Sequence, residues 1–173
     1  VRGYLNLKKI EKVNYYKTAQ YTITSPLSLG LIASGGDKVL TQKFEQFGSE
    51  LGKAFQLADD LLGMFGSTKQ TGKPIGSDIR EGKQTLLMYY AKKLTNPGQW
   101  REIEMRFGKD DINSVDVGVV RGILKDCGAQ AKVAVAANDY LQKSLLILEG
   151  MELDDEIAEL LRAFAQYCVQ RKK

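Results

Sequence analysis

A chain of 173 residues, 43% hydrophobic and 27% charged, is long enough to bury a core without cross-links, and its three prolines argue against a disordered tract. The longest apolar run, Leu86 to Ala91, is too short to span a bilayer, and a net charge of +4 comes without a basic stretch interleaved with aromatics, so nucleic-acid binding gains no support. Histidine is absent, which excludes His-based triads, imidazole shuttles and His-ligated zinc and leaves carboxylates, lysines, hydroxyls or an oxygen-held metal.

In chain order, Leu5, Ile10, Val13 and the run from Tyr16 to Tyr21 predict a first helix that Pro26 ends or kinks. Phe44, Phe47, Leu51, Ala54, Phe55, Ala58, Leu61, Leu62 and Phe65 recur at spacings of three and four, the strongest periodic signal in the chain, and predict an amphipathic helix of roughly twenty residues. The glycine- and lysine-rich stretch from Gly63 to Thr85 reads as a loop too long for a plain connection. Leu86, Leu87, Tyr90, Ala91 and Leu94 predict a third helix, stopped by an Asn96-Pro97-Gly98 turn. Val119, Val120, Ile123, Leu124 and Cys127 predict a short fourth, and Ala134, Ala137, Leu141, Leu145 and Leu148 a longer fifth. Ile157, Leu160, Leu161, Phe164 and Cys168 mark the last, running into a basic end. No period-two alternation is sustained. The fold class is all-α.

The chemistry collects at one helix end. Asp59 and Asp60 follow Gln56 at helical spacings of three and four, which groups the three near one face. Neighbouring carboxylates in the C-terminal half of a helix repel each other and oppose its dipole. A divalent cation relieves that arrangement, and hard carboxylate oxygens suit Mg²⁺, which completes its shell with water and phosphate oxygens. An acidic pair alone is also what a solvated helix face carries. Its neighbours change the balance: Lys73 and Lys83 lie among glycines, and Lys17 stands beside Thr18, so cationic donors for a phosphate accompany the carboxylates. Carboxylates for Mg²⁺ and lysines for the same anion are what a diphosphate site requires. Cys127 and Cys168 are too few for a disulfide framework, which fits a reducing, cytoplasmic location.

These residues carry a resemblance. Phe55-Gln56-Leu57-Ala58-Asp59-Asp60-Leu61-Leu62-Gly63, then Thr71-Gly72-Lys73 and Asp78-Ile79-Arg80-Glu81-Gly82-Lys83-Gln84-Thr85-Leu86, resembles the second aspartate-rich region of the trans-isoprenyl diphosphate synthases. Lys17-Thr18-Ala19 with Pro26-Leu27 and Gly30 is similar to the segment preceding it in that family, and Gly48 and Gly52 match the approach to Phe55-Gln56. Gly63 stands where a DDxxD motif would have its third aspartate, a form that prokaryotic geranylgeranyl-type members share. The family's first aspartate-rich motif should lie well upstream of Lys17, and the chain begins shortly before that point. Asp110-Asp111-Ile112-Asn113-Ser114-Val115-Asp116 spells a similar pattern, but it follows the second motif and lacks the arginine pair. We read it as a solvated acidic loop.

The resemblance implies a helical bundle of the isoprenoid synthase type, of which residues 1–173 would be the C-terminal portion, with the N-terminal helices missing. It implies that Mg²⁺ holds an allylic diphosphate, here through Asp59 with Asp60 in support. Lys17 and Lys73 would hold the leaving diphosphate, with Lys83 near it. Gln56 and Thr18 would present oxygen dipoles to the allylic cation, and Phe55 would help line the acceptor side where isopentenyl diphosphate attacks. A homodimer is implied for the intact enzyme, and no activity for this chain alone. With neighbouring helices missing, the helix from Phe44 to Phe65 should expose several apolar residues and drive self-association. Two other readings stay open. A non-catalytic partner subunit would be expected to lose Asp59, Asp60 or Lys17, which are intact here. In a plain helical interaction domain the same charges would be surface charge, and Mg²⁺-dependent binding of a diphosphate separates the two.

Overall fold

The computed structural model describes residues 5–67 and 76–170, and all regular structure among them is helical. Helix α1 (Leu7–Asn14) runs into a π-helical segment, Tyr15–Thr24, which passes directly into α2 (Ser25–Ala33). Pro26 therefore does not end the helix. The Ser25 amide reaches back five residues to the Gln20 carbonyl, and Pro26 falls in the first turn of α2, where a missing N–H costs least.

Helix α3 (Lys38–Phe65) is 28 residues long, longer than its apolar stripe predicts. Its start is fixed by Asp37, whose carboxylate accepts the Leu40 amide at 2.7 Å. The expected loop after Gly63 contains a short helix, α4 (Ser77–Arg80). Thr85 then caps α5 (Leu86–Leu94) by accepting the Met88 amide, so this residue of the family-like motif does capping duty. The Asn96-Pro97-Gly98 turn is the start of a further helix, α6 (Pro97–Glu104). Gln99 N donates to Asn96 Oδ1 at 2.9 Å, and Asn96 N donates to Gln99 Oε1 at 3.1 Å. Asparagine at the cap, proline at the first helical position and glutamine at the third form a legible helix start. Helices α7 (Ser114–Asp126), α8 (Ala129–Glu149) and α9 (Asp155–Gln170) complete the chain.

The chain divides into two compact units, one from Glu11–Ala58 and Ala136–Lys172, the other centred on Asp59–Val135 with Val1–Ile10. In the first, Phe44, Phe47, Leu51 and Ala54 of α3 pack with Ile23, with Leu141 and Leu148 of α8, and with Ala165 and Cys168 of α9. Phe44 and Phe47 meet edge to face, with ring centroids 6.5 Å apart. In the second, Ile79, Leu87, Met88, Ile103, Val117, Val120 and Leu124 are almost fully buried.

Two sequence expectations are corrected here. The apolar stripe from Phe44 to Phe65 is not left bare, because each of the nine residues that predicted it is buried or half-buried. On α9 the large apolar residues Ile157, Leu160, Phe164 and Tyr167 are exposed, whereas Ala165 and Cys168 face the core. The three-and-four spacing of α9 thus mixes core-facing Leu161 and Cys168 with exposed Ile157, Leu160 and Phe164.

Candidate active site

The first cluster belongs to the unit containing Glu11–Ala58. Gly48 and Gly52 lie one turn apart on α3 and let the π segment come unusually close. A Cβ built on Gly48 would sit 2.9 Å from the Thr24 Cα, and one on Gly52 would collide with the Ala19 backbone. This close approach brings Thr18, the neighbour of Ala19, against Gln56, one turn beyond Gly52. The Thr18 hydroxyl donates to Gln56 Oε1, and both side chains are buried. With its proton committed there, Thr18 has oxygen lone pairs as its remaining hydrogen-bonding capacity. Lys17, the preceding residue, is exposed. Phe55 is half-buried and packs against the hydrophobic core.

The second cluster belongs to the other unit. Successive helical residues point about 100° apart, which lets Asp59 and Asp60 differ in exposure. Asp59 is exposed and Asp60 is buried, although the spacing keeps both on the Gln56 side of α3. A buried carboxylate demands a partner. Lys83 Nζ lies 3.0 Å from Asp60 Oδ1 and 3.3 Å from Asp78 Oδ2. Burial alone would lower the basicity of this ammonium, but the charge and hydrogen bond of Asp60, then those of Asp78, outweigh it and raise its pKa above the ordinary lysine value. Arg121 of α7 donates to the Gly66 carbonyl at 3.1 Å, placing a cation just past the C-terminus of α3, and burial lowers its pKa.

Asp78 is the residue that reading by motif missed as a member of the site. Spacing gave no signal for it: Lys83 lies five residues beyond Asp78, outside the four-residue helix that carries the aspartate. Lys73 and its neighbours Thr71, Gly72 and Pro74 lie outside the described residues. Asp110 and Asp111 are exposed between α6 and α7. Asp116 serves α7: it accepts the Asn113 amide in a capping box and pairs with Arg106 at 3.0 Å. The Asn113 hydrogen bond, then that of Arg106, hold its carboxyl below the usual range against partial burial.

Among the described residues no cluster of three or more Asp, Glu, Cys or His side chains could hold a metal by itself. The acidic pair must share any metal with another donor. Among the described residues no helix is long and apolar enough to cross a membrane.

An all-helical chain carrying an Asp-Asp pair at the end of a long helix, a glycine-flanked lysine and a buried Thr-Gln pair defines the class to which the comparisons point. The polyprenyl synthetase family model matches residues 2–124, and the chain belongs to that family. It is 33% identical to the geranylfarnesyl diphosphate synthase of Aeropyrum pernix over 174 aligned residues, covering 100% of this chain and 51% of that protein. It is 30% identical to the geranylgeranyl diphosphate synthase of Saccharolobus solfataricus, covering 91% of this chain and 47% of that protein. Its fold superimposes with a TM-score of 0.94 on the geranylgeranyl pyrophosphate synthase of Corynebacterium glutamicum, solved with isoprenyl diphosphate and magnesium. That pair is 35% identical, over 98% of this chain and 48% of the other. The chain therefore spans about half the length of the relatives it matches.

Proposed function

We propose that this chain supplies the second aspartate-rich half of a trans-isoprenyl diphosphate synthase, the C-terminal portion of one isoprenoid synthase domain. The substrates would be isopentenyl diphosphate and an allylic diphosphate. The observation that carries the reading is the split acidic pair, with Asp59 exposed and Asp60 buried against Lys83.

The donor chemistry fits Mg²⁺, since Asp59 offers hard oxygens at the surface and Mg²⁺ commonly takes one or two protein carboxylates with phosphate oxygens. Asp59 would hold the ion, with Asp60 behind it. Once bound, Mg²⁺ would neutralise the diphosphate and make it a better leaving group. Lys17 and Lys73 would bind the same anion as compact cations, and Lys83 would stand near it. As the allylic C–O bond ionises, positive charge grows on carbon. Thr18, with its proton already donated to Gln56, can turn only lone pairs toward that charge, and Gln56 fixes its orientation. Phe55 would line the acceptor side, and a proton lost from the adduct would pass to the departing diphosphate. No imidazole base is needed. A homodimer is the assembly proposed for the intact enzyme.

The family's first aspartate-rich motif is not among these residues, so the chain alone should not condense the two substrates. Prenyl product formed with Mg²⁺ by the purified chain would refute that part. The binding half of the reading is tested by titrating inorganic pyrophosphate calorimetrically with and without Mg²⁺. Mg²⁺-dependent heat in the wild type that disappears in Asp59→Ala is the expected result. Identical heats in both proteins would reject the site.

A further inference from the structure

The lysine of the acidic cluster is held more firmly than a substrate-binding cation needs to be. Asp60 is only 2% exposed at its side chain and Asp78 16%, and both sit on Lys83 Nζ, so two of the three ammonium protons are committed to carboxylates. The backbone closes the same link, since the Lys83 amide donates to the Asp78 carbonyl at 3.0 Å. Helix α4, which carries Asp78, is itself pinned. Gly108 N donates to the Ile79 carbonyl at 2.7 Å, and Arg80 Nη2 donates to the Ile112 carbonyl at 3.1 Å.

Gly63 completes the arrangement. A Cβ at that position would lie 3.2, 3.7 and 3.9 Å from Oδ2, Cγ and Oδ1 of Asp78, so the carboxylate rests directly over the glycine. Gly63 follows Asp60 by three residues and occupies the third acidic position of a DDxxD motif. The space that an aspartate there would fill is taken by a carboxylate from another segment.

We propose that Lys83 is a resident counter-cation of the acidic pair and that Asp78 is the positioning residue that keeps it there. Resting on the Mg²⁺ reading of Asp59 and Asp60, the inference is that the ammonium competes with the divalent ion for the negative charge of the motif. The Asp78 grip would then set how tightly metal binds before any diphosphate arrives. A unit charge acting on a divalent ion a few ångströms away across a hydrated site changes affinity roughly fivefold or more.

The test uses the full chain and Mn²⁺ alone, with unbound Mn²⁺ counted by electron paramagnetic resonance and folding checked by circular dichroism. Lys83→Gln should bind Mn²⁺ about fivefold tighter than wild type, and Lys83→Arg should stay within about twofold of it. Asp78→Asn should loosen the ammonium and tighten binding, and should do so less in the Lys83→Gln background, where no ammonium remains to be held; weaker binding in Asp78→Asn would overturn the positioning role. If Lys83→Gln fails to fold, the comparison of Asp78→Asn with wild type decides alone, and an unchanged affinity overturns the inference. Equal Mn²⁺ affinity in wild type and folded Lys83→Gln overturns it while leaving the proposed function standing. An undiminished Asp78→Asn effect in the double variant would make Asp78 act on the metal directly and remove its positioning role. No binding by any of these proteins would refute the metal reading itself, and the inference with it.

Discussion

At the Thr18–Gln56 pair every constraint is steric and neutral. Two glycines admit the π segment, the approach sets the threonine against the glutamine, and one buried hydrogen bond records the fit. At Asp60 the constraint is charge: a buried carboxylate, an ammonium shared with Asp78, and a glycine that makes room for the second carboxylate. The contrast teaches that one long helix can carry two kinds of polar site whose sensitivities differ. The neutral pair should respond to volume and hardly to pH or salt, whereas the charged cluster should respond to neutralisation and screening.

The largest expected effect breaks the steric cluster. Gly52→Leu must displace the Ala19 backbone and should cost about 3 kcal/mol or more in urea unfolding. An effect near zero would mean the π segment moves aside without penalty. Next, Lys83→Gln leaves the Asp60 carboxylate buried without its ammonium. Allowing for screening at a lysine side chain 29% exposed, the loss should be about 2 kcal/mol. Its pH dependence has a defined sign. The pKa of Lys83 is raised by folding, so its stabilisation is complete below the unfolded lysine value, about 10.4, and disappears as pH rises through the folded one. The stability gap between wild type and Lys83→Gln should therefore be flat from pH 6 to 9 and shrink above about pH 10.5.

Thr18→Val keeps the shape but strips Gln56 Oε1 of its donor, and should cost about 1–2 kcal/mol with no change between pH 6 and 9. The smallest effects sharpen the comparison with a third acidic region. Asp116→Ala removes a cap and an ion pair and should lower the unfolding midpoint measurably, whereas Asp110→Ala should leave it at the wild-type value. A larger loss at Asp110 than at Asp116 would reverse our reading of that loop.

Helix periodicity made the all-α class and the position of α3 legible, because nine apolar residues at three-and-four spacing admit few alternatives. At Pro26 the chain passes into α2 rather than ending, because the proline falls in the first turn of that helix, where its missing N–H costs least. Periodicity failed at α6, whose capping box was present in the sequence but was outweighed by the turn-like Asn-Pro-Gly string. At α9 it found the helix but joined core-facing Leu161 and Cys168 to three exposed residues. Motif reading brought Asp59, Asp60 and Lys83 forward together but did not show that Asp59 is exposed while Asp60 is buried. The angular step between successive residues separates them, and no spacing rule showed that Asp78 would meet Lys83 over Gly63. That contact depends on where α4 sits beside the end of α3.

The most direct measurement of the central claim is thermal unfolding of the chain with pyrophosphate, with and without Mg²⁺, in wild type, Asp59→Ala and Asp110→Ala. A ligand held at a hundred times its dissociation constant adds about 2.7 kcal/mol to folding, enough to raise the midpoint by several degrees. The account predicts that rise in wild type and in Asp110→Ala, only with Mg²⁺, and its loss in Asp59→Ala. A Mg²⁺-dependent rise that survives in Asp59→Ala and vanishes in Asp110→Ala would contradict it.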